Sequence, residues 1–190
     1  MKFFLTDQTI KFDKHLKLLM EKPVMTFSRE ALKEKTDTIT LNTKKKLKDL
    51  DLTFFFDYQI FPPTIMASKT QWEMEKRKMK VGDTIVQQVY IPPVKTISQK
   101  IIFGVRVNNI IDEQDRKGFS YQTLEGHVEK GESIFTIEQT DQGIIFKVHT
   151  FSAAGNLLAR LAGPFFSRPY QAYCTRRCLT NVKFKIENEQ

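Results

Sequence analysis

The stretch from Gly118 to Phe151 limits the fold more than any other part of the chain. It holds three runs rich in β-branched and aromatic residues, separated by two turn-forming clusters, Glu125 to Gly131 and Asp141 to Gly143. That pattern predicts three antiparallel strands in a meander. Successive side chains on a strand point to opposite faces. Phe119, Tyr121 and Thr123 therefore share one face of the first strand, Phe135 and Ile137 one face of the second, and Ile144, Phe146 and Val148 one face of the third. One face of the sheet is mostly apolar and the other mixed, so something must cover the apolar side.

The cover is expected from the C-terminal part of the chain. Leu157, Leu158, Leu161, Phe165, Phe166, Tyr170, Tyr173 and Leu179 form an apolar stripe at helical spacing, interrupted by Pro164 and Pro169, which should kink or break the helix. The predicted fold class is α+β: a curved antiparallel sheet gripping a long C-terminal helix, with N-terminal helices. A single domain over residues 1–190 is expected, with a helical and loop region at 1–50, mainly strands at 51–151 and the helix at 152–184.

The remaining segments are read in the same way. Residues 7–36 predict two short helices split by Pro23, the second capped by Ser28. The first is basic and amphipathic, a pattern shared by helices that pack on their own domain and helices that lie on a membrane. Thr38 to Asp49 reads as a surface loop or short helix. Leu52 to Phe61, aromatic and ended by Pro62, reads as a strand or buried extended segment, with Asp57 the only charge inside it. Ile65 to Lys80 has helical spacing and includes Trp72. Thr84 to Ile91 and Ser98 to Ile111 read as strands, and Gly104 is the expected place for a bulge or bend that closes a curved sheet.

Composition narrows the class further. With 190 residues and 41% hydrophobic content the chain can bury a sizeable core. No apolar run approaches the roughly 20 residues of a membrane-spanning helix. The opening Phe3-Phe4-Leu5 is too short for the apolar part of a signal peptide, which points to the cytoplasm. Cys174 and Cys178 lie four apart in a predicted helix and read as free thiols. Neither a metal nor a cofactor is expected. The formal net charge of +8 favours anionic partners, nucleic acid among them, but Lys44 to Lys46, Glu75 to Lys78 and Arg176-Arg177 are scattered like an ordinary solvated surface.

Gly118-Phe119-Ser120-Tyr121, Thr123-Leu124, Gly126-His127, Gly131-Glu132 and Phe135, followed by Arg160-Leu161-Ala162-Gly163-Pro164, resemble the DUF1990 (UPF0548) family of uncharacterised proteins. Gln122, Val128 and Ser133 depart from the family pattern. The resemblance covers about the C-terminal half of the chain, with further likeness around Trp72 and Val81-Gly82-Asp83. It implies a START-like or Bet v 1-like helix-grip fold and brings no reaction with it.

No phosphate-binding loop, dinucleotide fingerprint, zinc-protease motif or nucleophile elbow is present. What remains is a polar set in and beside the meander: Arg106, Tyr121, Glu125, His127, Glu129, Glu132 and His149. An imidazole between carboxylates can carry protons near neutral pH, so His127 with Glu129 or Glu132 is the candidate catalytic group. The same residues could instead tie down their own loop. Trp72, Arg106, Tyr121 and His127 are the candidate ligand-binding residues, and His149 is expected to be a packed or surface residue. With 16 phenylalanines available to line a pocket, the leading reading is the binding of a small hydrophobic or amphipathic molecule between sheet and C-terminal helix. Acid/base chemistry on such a ligand and contact with nucleic acid are the alternatives.

Overall fold

The computed structural model describes residues 2–91, 98–154 and 168–188. Its strands are β1 (Lys2–Phe4), β2 (Lys33–Leu41), β3 (Met66–Thr70), β4 (Thr84–Ile91), β5 (Gln99–Asp112), β6 (Arg116–Thr123), β7 (Glu129–Thr140) and β8 (Gly143–Ala154). Its helices are α1 (Phe12–Met20), α2 (Thr53–Phe56), α3 (Gln71–Met74) and α4 (Arg168–Asn188). All eight strands join one antiparallel sheet in the order β2-β8-β7-β6-β5-β4-β3, with β1 paired to β5. The expected meander is β6-β7-β8, in register Phe119 to Phe135 to Val148.

The apolar side of the sheet is covered as its alternation requires. Val105, Val107, Phe119, Phe135, Ile137, Phe146 and Val148 point to the concave side. There they meet Cys178, Leu179, Val182 and Ile186, which form one face of α4. The helix starts near β5 and the β6-β7 connection, where Gln171 donates to Glu129. It ends beside the last residues of β2, where Lys183 donates to the Thr40 carbonyl at 3.1 Å and Glu187 accepts from Asn42 N–H at 2.7 Å. The expected helical span at 155–167, with Leu157, Leu158, Leu161, Pro164, Phe165 and Phe166, lies outside the described residues.

Three segments differ from expectation. Residues 33–41 form the edge strand β2 rather than helix or loop, because a strand bonded along one edge and facing water needs no apolar alternation. Residues 52–61 form one helical turn followed by tight turns, not a strand. The turn lets Phe54, Phe55, Tyr58 and Ile60 all reach the concave core, where a flat strand would send alternate rings to solvent. Residues 65–80 hold β3 and the single turn of α3 rather than one helix. Thr70 Oγ1 accepts from Glu73 N–H at 3.1 Å, and this cap fixes the point where strand becomes helix.

Helix α1 covers the convex side. Phe12, Leu16 and Leu19 pack against Val86, Ile102 and Leu124. The expected bulge falls between Val107 and Asn109, not at Gly104. Gly104 serves close approach instead: a Cβ there would lie 3.0 Å from the side chains of Leu19 and Leu124. After α3, Lys76 is held at φ 52, a left-handed conformation that glycine adopts with less strain. Lys76→Gly should therefore stabilise the fold by about 0.5–1 kcal/mol, measured by urea unfolding.

Candidate functional site

Among the described residues the centre of the concave side is packed with aromatic rings. Phe55 stands edge-on to Phe119 and Phe146 at 5.3 and 5.8 Å, and Phe119 stacks on Phe135 at 5.3 Å. The phenylalanines expected to line a cavity fill the middle of the grip themselves. A polar group lies within this packing. Gln87 on β4 donates to the Tyr58 hydroxyl, which is bonded in turn to Tyr121. Burial pushes both phenols above their usual range, so both stay protonated hydrogen-bonding groups. Tyr121 is thus an interior strut between the aromatic insert and the sheet.

A second set of polar residues sits where the β6-β7 connection meets the start of α4. The His127 ring is buried edge-on to Phe103, with centroids 4.2 Å apart. Its Nδ1 lies 3.0 Å from the Glu129 N–H and 2.9 Å from the Glu129 carbonyl, so in either tautomer the ring is tied to that backbone. Burial lowers its pKa to about 3, opposed by the backbone bond, and the imidazole is neutral at physiological pH. The arrangement is that of a loop anchor.

Glu129 follows one residue after Val128 and receives the Gln171 side-chain amide from α4. Burial raises its carboxyl to about 7, against the hydrogen bond from Gln171. Nearby, Val89, Ile101 and Phe103 form an apolar cluster separate from the main core, with Val128 and Tyr170 packed against it. This end of the grip therefore combines a carboxyl raised to about 7 with a buried apolar cluster. Cys174, on the same part of α4, is pushed up to about 11 by burial, while Cys178 belongs to the core and rises well above the ordinary thiol range. Both thiols are free and protonated.

The other candidates lie elsewhere. Arg106 is on the convex side, where its Nη2 donates to the carbonyls of Leu19 and Met20 at 3.3 and 2.8 Å and to Thr84 Oγ1 at 3.1 Å. It satisfies the free carbonyls at the end of α1, which places it across the sheet from His127 and Glu129. Glu132 is also convex. It accepts from Arg29 Nη2 at 2.5 Å and from Asn108 Nδ2 at 2.6 Å, and Asn108 in turn accepts from Ser120 at 2.8 Å. Asn108 lies at the register shift on β5. Glu132 therefore holds β7 to β5 and to the segment before β2, on the opposite face from Glu129.

Trp72, 1% exposed, packs in the main core. It also lines an open groove of about 510 Å³ with Asp57, Gln59 and Lys76. Glu125 is exposed, and its carbonyl accepts from Lys22 at 3.0 Å. His149 meets Glu34 at 2.7 Å across β2 and β8. Among the described residues no three His, Cys, Asp or Glu side chains converge as metal ligands, and no helix is long and apolar enough to cross a membrane. The sequence reading missed Gln171, Arg29, Gln87 and Asn108. Each is a polar residue whose partner lies tens of residues away, and nothing local marks such a pairing.

The model of a family described as a domain of unknown function, DUF1990, matches residues 55–181. The chain belongs to this family. A UPF0548 protein of Deinococcus radiodurans is 43% identical over 60 residues, which are 31% of this chain and 30% of that relative's length. Ginseng major latex-like protein 151 from Panax ginseng superposes with a TM-score of 0.54 at 12% identity, covering 82% of this chain and 99% of that one. At that identity the likeness shows the fold alone, a curved sheet with a C-terminal helix, consistent with the helix-grip class. Several residues of this DUF1990 chain that carry the family resemblance lie among the described residues and make structural contacts. Phe119 and Tyr121 fill the core, His127 ties its loop and Glu132 binds Arg29.

Proposed function

We propose that this chain binds a small amphipathic molecule at the end of the grip where β5, the β6-β7 connection and the start of α4 meet. The observation that carries this reading is Glu129. A carboxyl raised to about 7, with a side-chain amide as its partner, sits beside the apolar cluster of Val89, Ile101 and Phe103. Such a pairing of apolar surface with one orienting polar group is how small-molecule sites are usually built. The apolar part of the ligand lies on the half-buried Val128 and Tyr170, which pack on the cluster, and its head group meets Glu129 and Gln171. A head that donates hydrogen bonds or carries positive charge suits a carboxyl better than an anionic head does.

The test is a thermal-shift titration with decylamine and decanoate below their micelle concentrations. Decylamine should raise the midpoint saturably and decanoate much less, because a ligand at about 100 times its Kd stabilises the native state by about 2.7 kcal/mol. Glu129→Gln should lose at least tenfold in amine affinity, the order expected for a charged hydrogen bond. Failure of both amphiphiles to move the midpoint would count against the reading. A second reading, acid/base chemistry on the same ligand, is favoured only by the position of the Glu129 pKa near neutrality. It requires a Glu129→Gln protein that still binds but does not turn over.

A further inference from the structure

Seven large hydrophobic side chains are exposed among the described residues, and four of them fall between Phe3 and Leu18. Single exposed hydrophobics need no explanation, but a local concentration does. Leu5 is 82% exposed, Ile10 98% and Leu18 50%. None is needed to hold α1, whose inner face is already occupied by Phe12, Leu16 and Leu19. Ile10, Lys14 and Leu18 are spaced four apart, so they form one stripe along the outward side of the helix and the turn before it. Lys11 and Lys17 are exposed beside that stripe.

Lysines outnumber acids around the stripe. Among the described residues no carboxylate pairs with Lys11, Lys14 or Lys17. Asp13 is engaged by Lys69 at 2.7 Å, and the other exposed acids near the stripe are Asp7, which accepts from Thr9 N–H at 2.8 Å, and Glu21 at the far end of the helix. A folded helix with protruding Ile and Leu side chains among three lysines matches a surface that is apolar a few ångströms down and anionic at the top. We propose that the outer face of α1 docks on an anionic lipid bilayer, with Ile10 and Leu18 entering the interface and Lys11, Lys14 and Lys17 meeting the headgroups. The sheet then lies with its convex side to the membrane. This proposal uses none of the residues at the Glu129 end and stands or falls independently of the ligand.

Co-sedimentation of the full chain with vesicles tests it, comparing phosphatidylcholine alone with phosphatidylcholine carrying about 30% phosphatidylglycerol as the anionic component. The wild type should sediment with the anionic vesicles, weakly with the neutral ones and not at all without vesicles. Lys11→Gln/Lys14→Gln/Lys17→Gln should weaken partitioning about a hundredfold, from the contribution of each lysine at a charged surface. Ile10→Ser/Leu18→Ser should weaken it at least tenfold through lost apolar insertion, with an unchanged unfolding midpoint. Lys76→Gln/Lys78→Gln/Lys80→Gln removes the same charge from another face and should have an effect of threefold or less. The proposal is overturned if the wild type stays in the supernatant, binds neutral vesicles equally well, or sediments alone. It is also overturned if the control triple costs as much as the α1 triple.

Discussion

Gly131→Ala is expected to lower the unfolding free energy by about 3–5 kcal/mol, close to the most a single substitution usually does. The cause is a collision between paired strands. A Cβ on Gly131 would lie 1.9 Å from the Phe151 carbonyl oxygen and 2.9 Å from its carbon, both backbone atoms of β8 that cannot rotate away. The backbone at Gly131 is also at φ 151, where side chains other than hydrogen are strained. Gly143→Ala separates the two effects. Its φ is 119, but nothing lies within 4 Å of the added carbon, so it should cost only about 1–2 kcal/mol from conformation. Gly118→Ala tests crowding without positive φ, since its Cβ would lie 2.2 Å from the Phe135 carbonyl oxygen. Urea unfolding of the three variants should rank Gly131 and Gly118 well above Gly143. Equal losses at all three would show that strand crowding is not what these glycines relieve.

The second large effect is a dependence on pH set by two neighbours that act in opposite directions. His127 has a folded pKa of about 3 against an unfolded value near 6.5. Below 6.5 the unfolded chain takes a proton that the folded chain refuses, so this contribution to stability is complete above 6.5 and is lost as pH falls towards 3. Fully developed, the loss is about 5 kcal/mol. Glu129 has a folded pKa of about 7 against 4.5. It keeps a proton that the unfolded chain releases, so stability is lost as pH rises from 4.5 to 7, by about 3 kcal/mol. Between about 4.5 and 6.5 the two slopes oppose each other and the wild type should vary little. Glu129→Gln should unmask the His127 slope, with stability climbing as pH rises. His127→Asn should unmask the Glu129 slope, with stability falling as pH rises, and should abolish most of the loss below pH 4.5. Unfolding midpoints between pH 3.5 and 8 for the three proteins decide the matter. Parallel profiles for wild type and His127→Asn would contradict the neutral, buried imidazole.

The sheet was legible where one face had to be buried. Alternation from Phe119 to Val148 assigned both faces of β6, β7 and β8, and Thr84 to Ile91 and Ser98 to Ile111 marked β4 and β5. It was illegible where burial left no pattern. The edge strand Lys33–Leu41 is mostly exposed, and its backbone pairing with β8 decides its conformation rather than any side chain. The aromatic run at 52–61 misled for the opposite reason. Its rings satisfy strand preference, yet they are shared between sheet and helix, and only a turn delivers Phe54, Phe55 and Tyr58 to one core.

The candidate site was legible in part. His127 and Glu129 do meet, because they flank one tight connection, but the histidine is bonded to the backbone of Glu129 rather than to its carboxyl. Glu132 and Arg106 lie on the other side of the sheet. Strand parity puts Glu132 on the face opposite Glu129. Gln171, which completes the Glu129 environment, comes from a helix whose position over the sheet is set by packing at Cys178 and Val182, seven or more residues away.

The central claim is that an amphipathic ligand sits at the Glu129 end of the grip. A two-dimensional amide NMR titration of the uniformly labelled chain with decylamine tests it most directly. Saturable shifts of the Val128 and Glu129 backbone signals and of the Gln171 side-chain amide, with the Phe55 and Phe146 signals unmoved, are the expected result. An unchanged spectrum, or shifts confined to residues away from that end, would contradict it.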